Sequence, residues 1–283
     1  YILFIFFLAY RASKAVKTDS SDRKTQVQEQ FMAGKSLTFT ESICSILATE
    51  VSALTFLGIP AFAFNSDFSF VQIYMGAILG RFVIAKFFLP RIYDKGLTIY
   101  EIMNDSHKDG GRRTVAIFYA IAKILSVGVR LFSGSILVAQ FLGTDMHTAL
   151  ALVTFITFLY TLIGGLKAVV RTDILQLGLF VCGGIFAHIF IPITVNESWT
   201  NLMSFAFANG KTSFLDFSNP SGFILGFVGG ILFDMATHGV DQDFAQRLLA
   251  NSSLKKAQLA IFISSFFSIT IGFIFLGISR HQH

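Results

Sequence analysis

Long apolar segments alternate with short polar ones along the chain. Seven of them reach the length of about 20 residues that a membrane-spanning helix needs. They cover residues 42–64, 68–90, 114–142, 147–164, 174–195, 222–246 and 257–279. A shorter apolar stretch, YILFIFFLA, precedes them and predicts the end of a truncated helix over residues 1–10. The pattern therefore predicts an all-α protein with seven transmembrane helices.

The amino-acid composition indicates that most of the protein surface faces an apolar environment rather than water. Hydrophobic residues make up 53% of the 283 positions and charged residues only 14%. A water-soluble domain of this composition would lack the polar residues to cover its surface. We therefore expect a multi-pass protein of the cell membrane, with the lipid bilayer as a partner.

Basic residues collect in alternate connections between the predicted helices. The connections that carry them are 11–35, 91–113, 165–171 and 247–256, whereas 65–67, 143–147 and 196–221 contain only Lys211. Cytoplasmic loops are enriched in Lys and Arg, so the first group is predicted to be cytoplasmic. This topology accounts for the net charge of +5. No basic stripe with interleaved aromatic residues indicates a nucleic-acid partner.

Motifs for catalysis are missing from the sequence. Cys44 and Cys182 lie in separate apolar segments, and the six histidines have no metal-ligand spacing. We find no Ser/His/Asp order, phosphate loop or HExxH pattern. The sequence therefore predicts a protein that is not an enzyme.

A carboxylate interrupts the first predicted helix within ATEVSALTFLG, residues 48–58. A charge at the bilayer centre costs on the order of 2.5 to 3.5 kcal/mol, so Glu50 requires a partner or a function. β-Branched residues flank it, and a glycine and a proline follow, so this helix tolerates an interruption. Interrupted helices expose backbone carbonyls, from which transporters build cation sites. We predict a break between about Ala48 and Ser52.

Two other apolar segments contain deeply placed charges. Arg130 lies far inside the third segment, where it either pairs with Glu50 or Asp234 or holds an anionic ligand. Asp234 and Thr237 share one face of the sixth segment, next to glycines that permit close packing or unwinding.

Two charges closer to the predicted cytoplasmic side have two explanations each. Asp173 follows a predicted turn at residues 164–167, and it either pairs with Arg171 or has a function. Lys123 either extends its ammonium group to the membrane interface or has a function inside the protein.

Five stretches together resemble the sodium:solute symporter family, which includes sodium-coupled sugar, sialic acid, proline, iodide and vitamin carriers. In the order of that family, they are FMAGKSLTFTESICSILATEVSALTFLGIPAFAF, GRFVIAKFFLPRIYDKGLTIYEIM, VGVRLFSGS, GGLKAVVRTDILQ and HGVDQDFAQRLLA. The occurrence of GGLKAVVRTDILQ after ATEVSALTFLG is the most specific part. The resemblance extends over nearly the whole chain.

The resemblance implies the LeuT-type fold, in which two inverted repeats of five helices hold ions and substrate at the midplane. Residues 42–196 would form the first repeat of five transmembrane helices, and residues 197–221 an extracytoplasmic loop. Residues 222–283 would begin the second repeat with two helices. Residues 11–41 would be a cytoplasmic connection after the extra N-terminal helix. Because three helices of the second repeat would be missing, a fragment of this extent is expected to be inactive alone.

The resemblance also implies a role for sodium. The backbone carbonyls of Ala48 and Val51 match one half of the sodium site that the family shares. Asp173 matches an acid that helps to bind a second sodium ion in sialic acid carriers. Sodium is thus the implied cofactor.

A substrate pocket is implied as well. The positions that match it are Glu50, Ser52, Thr55, Tyr74, Arg130, Asp234 and Thr237. Arg130 resembles the arginine that binds the substrate carboxylate in sialic acid carriers. Gln72 is close enough to Tyr74 for either to occupy the position on the second helix.

Glu50 and Asp234 depart from the family, whose sugar and sialic acid carriers usually have neutral polar residues there. Two acids and one arginine suit a zwitterionic or carboxylate-bearing solute, and an internally neutralised pocket suits a polyol. The resemblance thus implies a sodium-coupled symporter that imports a small polar organic solute by alternating access. The alternative is the transporter-like membrane input domain of a signalling protein.

Overall fold

A computed structural model of the chain describes residues 31–93, 104–215 and 220–278, together with Phe7. These residues are almost entirely helical. The predicted helix end at 1–10, apart from Phe7, and residues 11–30 of the predicted connection lie outside the described residues. A 3-10 turn at Ala33–Lys35 leads into the first of the long helices.

The first predicted transmembrane helix is broken into two. Helix α1 spans Phe39–Glu50 and helix α2 spans Ala53–Asn65, with a bend of 61° between them. Val51 and Ser52 join them in extended backbone conformations. The predicted break is therefore confirmed.

Each half of the broken helix has its own N-terminal cap. At the start of α1, the Glu41 N–H donates to Thr38 Oγ1 at 3.3 Å, and the Thr38 N–H donates to the Glu41 carboxylate at 2.9 Å. Ser52 and Thr55 exchange the same pair of hydrogen bonds at the start of α2. A capping box satisfies N–H groups that a helix start leaves unpaired. The hydroxyls at 52 and 55 thus let the helix restart directly after the break.

Three longer helices follow. They are α3 at Val71–Ile92, which includes a π-helical turn at Ile84–Phe88, α4 at Asn104–Leu142 and α5 at Met146–Val195. The backbone of α5 is helical through residues 164–167, so the turn predicted there is wrong. The two glycines in that stretch cost about 1 kcal/mol each in helix propensity, but unlike proline they keep the N–H groups that a helix uses.

The second part of the chain contains four helices within the described residues. They are α6 at Trp199–Ala208, α7 at Pro220–Val240, α8 at Gln242–Leu249 and α9 at Leu254–Ile278. Helix α6 lies inside the predicted extracytoplasmic loop. The predicted segment 222–246 is divided at Asp241, whose carboxylate caps α8 by accepting from the Asp243 N–H at 2.8 Å.

Within the described ranges, five helices are long and apolar enough to cross a membrane, or six if α1 and α2 form one broken span. The sequence predicts seven membrane-spanning helices. The remaining one corresponds to Met146–Leu159, the first part of α5, which is apolar but shorter than the other spans. Many large apolar side chains face outward, among them Phe141 and Leu225. Such faces suit the acyl chains of a bilayer, as expected for a multi-pass membrane protein.

Helices α3 and α7 form the most extensive helix pair. A Cβ atom at Gly230 would lie 2.8 Å from the Ile73 Cα, and one at Gly76 would lie 2.8 Å from the Ile231 nitrogen. Small residues at these two positions are therefore what lets the backbones approach. Helix α9 packs against α1, α2, α3 and α5. The break between α1 and α2 consequently lies among α3, α7 and α9.

Candidate functional site

A cavity of about 510 Å³ lies beside the break between α1 and α2. Its polar lining includes Thr49, Glu50, Ser52, Thr55, Tyr74, Arg81, Arg130, Asp234, Thr237 and His238. Apolar side chains line the rest, among them Phe62, Phe70, Phe233 and Phe244. A cavity of this size and mixed lining is typical of sites for small molecules. Every substrate position that the resemblance implies lines this cavity.

Arg81 of α3 connects the two acids of the cavity. Its Nη2 lies 2.9 Å from Glu50 Oε1, and its Nε donates to Asp234 Oδ1 at 3.2 Å. Nη1 donates to the hydroxyl of Ser264 in α9 at 2.6 Å. Arg81 is 1% exposed and Asp234 3%, so these charges are compensated by protein groups rather than by water. One guanidinium thereby joins α1, α7 and α9 to α3.

His238 of α7 forms a second link between the same acids. Its Nε2 lies 3.2 Å from Glu50 Oε1, and its Nδ1 lies 3.0 Å from Asp234 Oδ1. The other oxygen of Glu50 accepts a hydrogen bond of 2.6 Å from the Ser268 hydroxyl of α9. Glu50 thus has the compensating partners that a carboxylate in an apolar segment requires.

Arg81 is missing from the candidates that the sequence analysis identifies. A signal for it exists, because GRFVIAK places Arg81 and Lys86 inside the predicted segment 68–90. A cation in such a segment needs a partner for the same reason as Glu50 does. Lys86 lies over the rings of Phe82 and Phe87. Matching intramembrane acids with intramembrane cations on other helices would have pointed to Arg81.

Arg130 of α4 lines the same cavity as Thr55. The alternative expectation, an ion pair between Arg130 and Glu50 or Asp234, is wrong because Arg81 and His238 lie against those carboxylates. In the part of the chain that the structure describes, no acid forms an ion pair with Arg130. Its guanidinium is therefore available to an anionic group of a ligand.

The structure resolves the choice between Gln72 and Tyr74 in favour of Tyr74 as a lining residue. Gln72 is buried, and its side-chain amide donates to the carbonyl of Phe214 at 3.2 Å. Thr237 also lines the cavity, while its hydroxyl donates to the carbonyl of Phe233 one turn earlier at 3.0 Å. The Thr237 hydroxyl is thus held by a hydrogen bond within α7.

The break alters the hydrogen bonding around Ala48 and Val51. In a continuous helix the Ala48 carbonyl would accept from the Ser52 N–H, and the Val51 carbonyl from the Thr55 N–H. The Ser52 N–H donates instead to Thr55 Oγ1 at 3.3 Å, and the Thr55 N–H donates to Ser52 Oγ at 3.4 Å. The cap of α2 therefore takes up the two donors that these carbonyls would otherwise use. Backbone oxygens released in this way suit a sodium ion.

Asp173 of α5 pairs with Arg247 of α8. Its Oδ2 lies 2.9 Å from Arg247 Nη2 and accepts a hydrogen bond of 2.6 Å from Ser45 of α1. Arg247 Nε donates to the same serine oxygen at 2.8 Å. The alternative expectation, an ion pair between Asp173 and Arg171, is therefore wrong. The face of α5 that carries Asp173 lies against α1 and α8. Asp173 does not line the cavity.

Lys123 of α4 lies at the junction of α7 and α8. Its ammonium nitrogen is 3.1 Å from Asp241 Oδ2 and 2.5 Å from Asp243 Oδ2. The hydroxyl of Tyr119 donates to Asp241 Oδ1 at 3.0 Å. Lys123 thus connects α4 to the junction below the cavity rather than extending away from the protein.

The known proteins that this chain resembles are sodium-coupled transporters. A model of the sodium:solute symporter family matches residues 30–281. Sodium-coupled monocarboxylate transporter 1 of Mus musculus is 29% identical over 274 residues, which cover 93% of this chain and 44% of that protein. The sodium/iodide cotransporter of Homo sapiens is 27% identical, over 84% of this chain and 38% of its own length. The sodium/glucose cotransporter of Vibrio parahaemolyticus is 26% identical, over 92% and 50%.

A solved structure with the same fold is a substrate-bound, outward-open state of a Na⁺-coupled sialic acid symporter. The TM-score is 0.88 at 21% sequence identity, and the match covers 99% of this chain and 59% of that chain. This likeness confirms the predicted LeuT-type fold. The chain spans about half the length, or less, of the curated relatives that it matches.

Proposed function

Since this chain belongs to the sodium:solute symporter family, we propose that the full-length protein is a sodium-coupled symporter that imports a small polar organic solute by alternating access. The observation that carries the proposal is the cavity at the break of the first helix, which all the expected substrate positions line. Secondary transporters bind ions and solutes at such broken helices near the bilayer midplane. The sodium-coupled relatives support the choice of ion.

The carbonyls of Ala48 and Val51 are proposed to bind sodium. Their helix-internal donors are engaged in the cap of α2, so the ion would meet oxygens that are not already paired along the helix. A cation at this point would also hold the break in its extended form, which keeps Ser52 and Thr55 directed to the cavity.

The solute is proposed to carry a carboxylate that Arg130 binds. Arg81 and His238 already contact Glu50 and Asp234, so the acids do not compete for Arg130. An ammonium group of a zwitterion would have to displace Arg81 from the same carboxylates. A small carboxylate anion without a cationic group therefore fits the cavity better than a zwitterion does. Guanidinium groups bind carboxylates through paired, charge-assisted hydrogen bonds.

A second sodium ion at Asp173 remains a prediction. One carboxylate oxygen of Asp173 is shared by Arg247 and Ser45. An ion there would have to use the other oxygen, beside a guanidinium that repels it. The proposal therefore places the coupling ion at the break and leaves Asp173 as a partner of Arg247 in the described conformation.

Coupling follows from the arrangement of the two sites. If sodium and solute stabilise the same form of the break, each raises the affinity for the other by the same factor. The inward movement of one positive charge gains about 2.3 kcal/mol per 100 mV of membrane potential. No chemical bond has to be made or broken.

The test uses the full-length protein in proteoliposomes. Uptake of labelled monocarboxylates, sialic acid, sugars and amino acids is measured with and without an inward sodium gradient, with protein-free liposomes as the blank. We expect accumulation of a carboxylate solute that stops when gramicidin dissipates the gradient. Accumulation of sugars but of no anion would contradict the proposed solute class and leave symport standing. Binding without accumulation under any gradient would contradict symport and favour the input domain of a signalling protein.

A further inference from the structure

His238 is the feature of the cavity that the proposed function leaves unexplained. Both nitrogens of its ring face carboxylate oxygens, Nδ1 at 3.0 Å from Asp234 Oδ1 and Nε2 at 3.2 Å from Glu50 Oε1. The ring is only 5% exposed, so water does not separate it from either acid. Its face packs on Phe244 at a centroid distance of 4.1 Å. The imidazole is therefore fixed between two carboxylates.

The position between two carboxylates favours a hydrogen on each ring nitrogen. A neutral imidazole has one N–H and one lone pair, whereas an imidazolium has two N–H donors. With ionised acids, a neutral ring would direct its lone pair at a carboxylate oxygen about 3 Å away. The Thr237 hydroxyl lies 3.1 Å from Nδ1 and can donate or accept there, so the contact that decides the protonation is the one between Nδ1 and Asp234 Oδ1. Only a ring with a hydrogen on each nitrogen donates to both carboxylates.

The charge balance of the cluster also favours a protonated ring. Glu50 and Asp234 carry two negative charges, and Arg81 supplies one positive charge. The Oδ2 atom of Asp234 is buried without a hydrogen-bond partner among the described residues, so its charge is compensated only through Oδ1. Because Arg130 forms no ion pair with these acids in the described part of the chain, a neutral His238 would leave the cluster of Glu50, Asp234 and Arg81 with one unbalanced negative charge, which is costly in a low-dielectric interior. A protonated His238 makes the cluster neutral.

We propose that His238 is a proton-binding site of this transporter, in which a proton is held between Glu50 of the broken helix and Asp234 of α7. His238 and Asp234 both belong to α7, so the contact of Nε2 with Glu50 crosses to the broken helix, while the contact of Nδ1 with Asp234 stays within α7. It is a second monovalent ion site beside the cavity, built from side chains rather than from backbone carbonyls.

The charged and titratable groups around the ring come from several elements. Glu50 belongs to α1, Arg81 and Tyr74 to α3, Arg130 to α4, and Asp234 to α7 itself. Helix α9 contributes the neutral hydroxyls of Ser264 and Ser268, and α8 contributes the ring of Phe244. Among these groups, only the two carboxylates lie within ion-pair distance of the imidazole in the described part of the chain.

The proton also sets the charge of the cavity, a consequence that rests on the proposed function. With His238 protonated, Arg81, Arg130 and His238 oppose Glu50 and Asp234, so three positive charges face two negative ones. The cavity then carries one net positive charge, which suits a monoanionic solute. Loss of the proton would bring the sum to zero and remove this preference.

The test reads the ring directly and needs no substrate. The full-length protein is labelled with ¹⁵N-histidine, reconstituted in lipid nanodiscs and measured by NMR at pH 7.5, and the His238 signals are assigned by their absence from His238→Gln. We expect two protonated, pyrrole-type nitrogens. A pyridine-type nitrogen for His238 in the unmodified protein would overturn the proposal, whether or not the protein transports anything.

Variants of the acids test the cause of the protonation. In Asp234→Asn or Glu50→Gln only one carboxylate remains, and Arg81 balances it, so we expect His238 to show one pyridine-type nitrogen. Imidazolium signals that persist in both variants would overturn the role of the carboxylates. His188→Gln is the matched control, because it removes another imidazole ring from a membrane helix, one whose Nε2 lies 2.7 Å from the carbonyl oxygen of Ile274. It should leave the His238 signals unchanged.

Discussion

Arg81 Nη2 lies 2.9 Å from Glu50 Oε1, so a guanidinium from α3 neutralises the carboxylate at the end of α1. The pair sits where the first helix breaks, and the same guanidinium also contacts Asp234. A charge that would oppose membrane insertion of a lone helix is thereby used to attach the broken helix to its neighbours.

Replacement of Arg81 should destabilise the fold. Arg81→Gln removes one partner from a buried cluster and leaves one of its two negative charges uncompensated, for which about 3–5 kcal/mol is typical. Unfolding in detergent micelles by increasing SDS, followed by circular dichroism, measures the loss. Arg91→Gln is the matched control, because Arg91 is exposed at the end of the same helix, and we expect a change within about 0.5 kcal/mol. Equal stability of the two variants would contradict the structural role of Arg81.

Replacement of Arg130 should weaken solute binding without unfolding the protein. Arg130→Gln removes a charge-assisted hydrogen bond worth about 1.5–3 kcal/mol, so the Kd for a carboxylate solute should rise about 10- to 100-fold. Isothermal titration of the purified protein with the solute found in the uptake screen measures it. Arg113→Gln, at an exposed position of the same helix, should bind as the unmodified protein does. An unchanged Kd in Arg130→Gln would exclude Arg130 from the solute site.

Removal of the cap of α2 should weaken sodium binding. In Ser52→Ala the Thr55 N–H loses its side-chain acceptor, so it can return to the Val51 carbonyl and compete with the ion. Lost N-caps also cost about 0.5–2 kcal/mol of stability. The sodium concentration for half-maximal uptake should therefore increase. Thr270→Ala serves as the control, because that hydroxyl donates to the carbonyl of Phe266 in its own helix. Unchanged sodium dependence in Ser52→Ala would contradict the site.

The contact between α3 and α7 offers a comparison of adjacent glycines. A Cβ at Gly230 would lie 2.8 Å from the Ile73 Cα, whereas a Cβ at Gly229 would meet nothing within 4 Å. Gly230→Ala should therefore destabilise the protein by about 1–3 kcal/mol through overpacking. Gly229→Ala should be neutral or slightly stabilising, since alanine favours a helix. SDS unfolding of both variants measures the difference, and equal effects would show that the two helices do not pack as described.

Part of the site could be predicted from the amino-acid sequence alone. The break was predicted from Glu50, its β-branched neighbours and the following glycine and proline, all of which lie within one segment. The lining role of Thr55, Tyr74 and Arg130 came from resemblance, and the cavity includes all three. The turn at 164–167 was wrong because glycines weaken a helix without removing its hydrogen bonds.

The ion-pair partners of the buried charges could not be predicted from the sequence. Glu50 pairs with Arg81 rather than Arg130, and Asp173 pairs with Arg247 rather than with the nearby Arg171. In both cases the expected cation was plausible by depth or by proximity in sequence. The actual partner comes from a different helix, where the direction of the side chain depends on the rotation of that helix.

The linear pattern of residues was sufficient to predict a helical membrane protein and a broken first helix, because these properties depend on hydrophobic length and local backbone preferences. The substrate pocket with its two unusual acids was implied by the family resemblance. The ion-pair network among Glu50, Arg81, Asp234 and His238 emerged only when the helices were packed. Helical periodicity says which residues share a face, but the crossing and rotation of neighbouring helices determine which faces meet. Those angles depend on close contacts such as Gly76 and Gly230 between α3 and α7, which join residues far apart in the sequence.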